Sequence, residues 1–164
     1  MSDARAAGGE ANQETLSEAR AARGEANQEA LSDAATHFSA EGLGEPAGPG
    51  RYVQIDSITP AEFVPGLGFR PVLGTGAMAN FVDFAPGVEA PRHAHEEEQI
   101  VIVLDGEFTF DLDGDVRVMR PGDVAVIPSW VPHGAWTTNS HCREVDIFCP
   151  PRKSLLGVVE AQDG

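Results

Sequence analysis

Between Ala79 and Phe148 the chain is cut into short β-type runs by turn residues, and this spacing leaves few folds open. Ala79 to Phe84 is one such run, with Phe81 and Phe84 apolar. Ile100-Val101-Ile102-Val103-Leu104 is a β-branched stretch of the kind that fills a buried strand. Phe108, Phe110 and Leu112 alternate with Thr109 and Asp111. Asp113-Gly114 then turns the chain into Val116 and Val118, which is a hairpin signal. Arg120-Pro121-Gly122-Asp123 is a further turn ahead of Val124-Ala125-Val126-Ile127, and Glu144 to Phe148 makes a last strand. Val53 and Ile55, alternating with polar neighbours, predict a strand at the start of the folded region near Tyr52. Short strands parted by Gly/Pro turns indicate an all-β sandwich or barrel of the jelly-roll kind.

Inside this pattern lie His93-Ala94-His95, then Gln99, and later a lone His133 after Pro128-Ser129-Trp130-Val131-Pro132. Residues i and i+2 of a strand face the same way, so His93 and His95 present two imidazoles together. Three neutral imidazoles and a carboxamide oxygen suit one borderline divalent ion such as Zn²⁺, Fe²⁺, Ni²⁺, Mn²⁺ or Cu²⁺. A glutamate as fourth donor would leave the site near +1, whereas Gln99 leaves it near +2, a stronger Lewis acid toward a carbonyl or anionic substrate. Glu98 is the alternative donor should Gln99 face away. Otherwise Glu96, Glu97 and Glu98 read as an acidic loop with at least two of the three in solvent. His37 and His141 match no pattern and read as surface residues.

Two spacings resemble the motifs of the cupin superfamily. The first runs Gly87, His93, His95, Gln99, Gly106, with Gln99 where the family usually has Glu. The second runs Gly122, Pro128, Trp130, His133, with Trp130 in the place of a Gly and Thr137 in the place of an Asn. The resemblance covers about residues 70 to 152 and implies a single cupin barrel. Its ligands would be His93, His95, Gln99 and His133 around one divalent metal ion (Zn, Ni, Mn or Fe). The stretch Asp146-Ile147-Phe148-Cys149-Pro150-Pro151-Arg152 narrows the likeness to small single-domain cupins of pectin degradation, which open unsaturated uronic acids. That resemblance implies catalytic roles for Asp146 and Arg152 and substrate binding by Phe148 and Arg152. Asp146 would carry a proton, Arg152 would clamp a carboxylate, and Phe148 would wall the pocket. The plainer alternative puts Asp146 at a turn and Arg152 on the surface. The His-x-His-x3-Gln pattern also resembles the bicupin isomerase of bacilysin synthesis and the small cupins of aromatic polyketide pathways.

The functional expectation is therefore a metal-dependent, non-redox isomerase, cyclase or ring-opening enzyme acting on a small carbonyl- or carboxylate-bearing substrate, uronate-like or polyketide-like. An iron-dependent dioxygenase is the first alternative, and a non-catalytic small-molecule-binding cupin the second. Cupins often pair through sheet edges or faces, so a homodimer is a further expectation.

The remaining sequence bounds the partners. The chain holds 26 acidic against 11 basic residues, a net charge of −15, which repels nucleic acid and anionic membranes. No run approaches the ~18 apolar residues of a membrane helix, and Met1-Ser2-Asp3-Ala4-Arg5 does not start a secretory signal, so a cytoplasmic location is expected. Cys142 and Cys149 then read as reduced thiols, with a disulfide as the alternative. Residues 1–50 read as a separate low-complexity tail. Residues 2–16 are echoed by 17–31 at a period of fifteen, and a Gly/Pro linker follows at 41–51. Helix-forming residues abound there, but Leu16 and Leu31 are almost the only large apolar ones, so the tail is expected to be disordered or nascently helical, or else a partner-binding arm. The cupin domain is expected over 51–164. Deleting residues 1–45 should leave a single cooperative melt, within a few degrees of the full chain; loss of that transition would show the tail to be part of the folded unit.

Overall fold

The computed structural model describes residue 45 and residues 47–162; the duplicated segment and His37 lie outside the described residues. Ten strands follow one another: β1 (Ala61–Val64), β2 (Leu67–Leu73), β3 (Met78–Phe84), β4 (Glu89–His93), β5 (Glu98–Gly106), β6 (Phe108–Leu112), β7 (Asp115–Met119), β8 (Val124–Ile127), β9 (His133–Trp136) and β10 (Cys142–Cys149). A 3₁₀ turn (Lys153–Leu155) and a short helix, α1 (Leu156–Gln162), come after them. The strands form two sheets, one of six in the order β1-β2-β3-β10-β5-β8 and one of four in the order β4-β9-β6-β7, with all pairings antiparallel. This is the all-β jelly-roll barrel that the turn spacing implies.

The turns obey their residues. Asp113 and Gly114 both take positive φ, 50° and 93°, as a two-residue hairpin of the I′ type requires. Asp111 accepts from the Gly114 N–H at 2.7 Å and fixes that corner. Pro121 and Gly122 form the next turn, closed by Asp123 N–H donating to Arg120 O at 2.9 Å. Thr137, where the family pattern has Asn, is buried; its hydroxyl donates to Ala85 O at 2.6 Å and accepts from Val88 N–H at 3.0 Å. A short hydroxyl thus ties the β3–β4 connection to the end of β9.

The strand expected at Val53–Ile55 is not formed. Ile55–Ser57 is a 3₁₀ turn instead, with Ser57 Oγ donating to Gln54 O at 2.7 Å. Val53 is exposed, so no apolar face rewards an extended chain there. Strands β1, β2 and β9 have no strand signal in the sequence, and β4, implied by the His93–His95 pair, ends at His93 and leaves His95 outside it. β2 contains Gly68 and Pro71, yet β1 pairs with it only as far as Phe69, so the buried Pro71 lies where the outer edge needs no N–H. β4 holds Pro91 on the sheet edge beside a break in register between Ala90 and His93. β1 and β9 are four residues each, too short to show alternation.

Between the sheets pack Val82, Phe84, Val101, Val103, Phe108, Phe110 and Ile127. Met78, Phe148, Leu155 and Val159 form a second cluster where α1 closes one end. Cys142 is buried and Cys149 exposed, and both are free thiols. Among the described residues no helix is long and apolar enough to cross a membrane.

Gly106 has φ 72°, and a Cβ there would run into the carbonyl oxygen of His141. Gly106→Ala should therefore destabilise the fold by about 3 kcal/mol, combining left-handed strain with a backbone clash. A denaturant midpoint equal to that of the parent chain would contradict this.

Candidate metal centre

Backbone pairing brings the first two imidazoles together. His93 ends β4, His133 opens β9, and the two are direct partners in register, with ring centroids 4.4 Å apart. His95 lies two residues beyond β4, where its carbonyl oxygen accepts from the Trp130 N–H at 2.7 Å. Its ring centroid is 5.0 Å from that of His133 and 5.6 Å from that of His93. One nitrogen from each ring falls within 4.8 Å of the others. Gln99, at the start of β5, sets its Oε1 3.0 Å from His95 Nε2. Glu98 faces outward and is exposed.

The hydrogen bonds of two of the three rings, His93 and His133, suit an ion. His93 Nδ1 is 2.7 Å from Pro91 O and His133 Nδ1 is 2.8 Å from Val131 O. A carbonyl only accepts, so each Nδ1 carries the proton and each Nε2 keeps a lone pair. The His133 Nε2 is buried with no hydrogen-bond partner among the described residues. Burial pushes the His133 imidazole down to about 4 and lowers His95 as well, with Arg152 adding to the second effect. Neutral imidazoles oriented by backbone acceptors are what a transition-metal site requires. His93, His95, His133 and Gln99 could together hold one divalent ion.

Asp146 and Phe148 project from β10 into the same cavity, which encloses about 450 Å³ and also receives His93, Gln99, His133 and Arg152. Gln99 Nε2 donates to Asp146 Oδ1 at 2.6 Å, so one carboxamide touches both an imidazole and a buried carboxyl. Asp146 is buried on β10 and is no turn cap, and Arg152 is half-buried with its Cζ 5.4 Å from the Phe148 ring centroid. His141 is a surface residue, 2.8 Å from Asp105.

Three residues of this region carry no assignment from sequence. Glu97, expected with its neighbours in an acidic loop, is buried, while Glu96 and Glu98 are exposed. Its carboxylate lies 3.3 Å from His95 Nδ1 and 3.4 Å from Arg152 Nη1, and it accepts the Lys153 N–H at 3.2 Å. Burial raises its pKa, but its own backbone N–H, the Lys153 N–H, Arg152 and His95 together outweigh burial and hold the group below the usual carboxylate range. Asn80 and Glu144 are also buried and line the cavity. The alternation on β10 carried the signal for Glu144, two residues before Asp146 on the same face. Asn80 likewise keeps step with Val82 and Phe84 on β3.

Trp130 stands at φ 65°, where the family pattern has Gly, and its side chain is exposed. Residues 80–148 match the cupin domain profile. The structure of KdgF from Halomonas sp. is 31% identical, and the alignment covers 66% of this chain and 100% of that one with a TM-score of 0.62. The chain belongs to the cupin family. An RmlC-like cupin from Shewanella frigidimarina is 27% identical, with a TM-score of 0.61 over 66% of this cupin and 97% of that chain. The cupin-domain-containing oxidoreductase fogC of Aspergillus ruber is 46% identical over 52 residues, which are 31% of this chain and 26% of that protein. This cupin therefore spans about a quarter of that curated relative's length.

His93→Ala and His133→Ala should each lose the bound ion, read by elemental analysis of full-length protein purified without chelator. Glu97→Gln should keep it with about 10- to 100-fold weaker affinity, as for other residues that orient a ligand. A histidine variant at full occupancy would remove that residue from the ligand set.

Proposed function

We propose that this cupin is a metal-dependent enzyme of non-redox type, an isomerase, cyclase or ring-opening enzyme, acting on a small substrate that carries a carbonyl or carboxylate. The contact that supports this reading is the one between Gln99 and Asp146, which holds a buried acid–base group against the imidazole cluster. An ion held by His93, His95, His133 and Gln99 would polarise a carbonyl oxygen as a Lewis acid.

The chain's own groups do the rest. Burial raises the pKa of Asp146, against the pull of the Gln99 hydrogen bond, so the carboxyl takes a proton more readily than a surface aspartate. A base of that kind removes a proton from the carbon beside a carbonyl and returns it to another atom of the same substrate, without net redox. Arg152, steadied by Glu97, offers N–H donors to a carboxylate or to an oxygen gathering charge. Phe148 walls the site, and most of the cavity lining is apolar. Gln99 contributes no charge, so an ion held there would keep its full electrophilicity.

A second reading, an iron-dependent dioxygenase, draws support from the fungal relative named as an oxidoreductase. The test separates the two. Full-length protein loaded with Zn²⁺, Ni²⁺, Mn²⁺ or Fe²⁺ is given 1-tetralone in D₂O under argon, and exchange of the α-hydrogens is followed by NMR. A companion assay uses an unsaturated uronate. Metal-dependent exchange or ring opening without oxygen is expected, falling at least about 100-fold in Asp146→Asn while the metal stays bound. Oxygen consumption coupled to turnover with Fe²⁺ would replace the non-redox reading.

A further inference from the structure

The cavity has a second polar point that the chemistry above does not use. Most of its wall is apolar, with Phe63, Phe69, Phe84 and Phe110 among the lining residues. Into this wall project Asn80, 0% exposed, and Glu144, 4% exposed. Among the described residues, neither amide atom of Asn80 nor the Oε2 of Glu144 has a hydrogen-bond partner of good geometry, although the Asn80 amide lies close enough to Asp146 to stabilise that carboxylate. Buried polar atoms are nearly always paired, because leaving them unpaired is destabilising, so under-satisfied groups facing one cavity mark a place where something else binds.

The sheet register sets Glu144 apart from the imidazole cluster, with Asn80 between them opposite Asp146. On β10, Phe148 is opposite Gln99, Asp146 opposite Asn80 and Val101, and Glu144 opposite Val82 and Val103. Glu144 thus lies four residues, or about 13 Å along the strand, from the rung that Gln99 occupies. A ligand touching both ends passes the rung of Asp146 and Asn80 that lies between them.

The kind of group that fits follows from the donors and acceptors. Asn80 offers an N–H₂ and a carbonyl oxygen, and Glu144 adds a carboxyl. Burial lifts the Glu144 proton affinity well above that of an ordinary carboxylate, and the neighbouring Asp146 adds to this. A protonated Glu144 both donates and accepts. An anion is disfavoured by two buried carboxyls side by side. A polyhydroxylated sugar ring would leave most of its hydroxyls against phenylalanine.

We propose that Glu144, with Asn80 on the rung beside it, forms a recognition subsite for a neutral hydroxyl or carbonyl group of an apolar, ring-bearing substrate. This takes the cavity to be the substrate site and so rests on the proposed function to that extent. It does not depend on which reaction occurs there.

The test uses the full-length chain with 2-naphthol and naphthalene, which differ by one hydroxyl, and isothermal titration to obtain Kd for each. The wild type should bind 2-naphthol at least about tenfold more tightly, because a site built to pair a hydroxyl rejects the analogue that lacks it. Asn80→Leu and Glu144→Leu should each bring the two affinities within about twofold while naphthalene binding is kept or improved. Glu144→Gln, which retains a donor and an acceptor, should keep the preference and guards against a folding artefact in the leucine variants. Equal affinities in the wild type, binding of neither compound, or a preference untouched by both leucine variants would overturn the subsite. Repeating the titration on His133→Ala separates this inference from the metal-dependent reading. A preference that persists without metal supports the subsite even if no metal-dependent turnover is found. A preference seen only in metal-loaded protein would place the naphthol oxygen at the imidazole cluster and overturn it.

Discussion

Strand β10 is hydrogen-bonded to β3 on one side and to β5 on the other, and this double pairing decides which side chains meet in the cavity. It sets Asp146 beside Asn80, Phe148 beside Gln99 and Glu144 two residues further along. A slip of one residue would turn Glu144, Asp146 and Phe148 outward and bring Val145 and Ile147 in, so the polar site and the apolar core share one register. The four polar residues Asn80, Gln99, Glu144 and Asp146 occupy inward positions that the alternating pattern would give to apolar side chains. Each contradicts the local rule, and departures of this kind concentrate at functional sites.

The sequence made the barrel legible where local chemistry and global pairing agree. Asp113-Gly114 and Pro121-Gly122 each dictate one turn geometry, and the valine and isoleucine runs between them have no stable alternative to a strand. It was silent where tertiary context overrides composition. Pro71 sits in a strand because its neighbour stops short, and Pro91 because its strand lies on an edge. The imidazole cluster was readable from the motif spacing, although β4 ends at His93 and His95 joins the cluster from the loop beyond it rather than from the same strand face. Glu97 was not, since its burial depends on Arg152 and Lys153, 55 and 56 positions later in the chain. Three glutamates in a row look alike until a distant cation selects one.

Electrostatics inside the barrel differ from those of the whole chain. The net charge of −15 is carried mainly outside the cavity. Within it, His95 and His133 are held neutral by burial, Glu144 and Asp146 are biased toward their protonated forms, and Glu97 is matched by Arg152. An acidic protein can in this way keep an interior that does not repel an electron-rich ligand.

The carboxylate of Glu97 joins two parts of the molecule that otherwise belong to different layers. One side meets the ring of His95; the other holds Arg152 and the backbone of Lys153, where the chain enters the closing turn and α1. Thermodynamic reciprocity follows from such a shared group. Any coupling carried by this carboxylate acts equally in both directions between the His95 ring and the turn at Lys153. The turn that follows the last strand is in this way anchored on the same carboxylate that faces the imidazole.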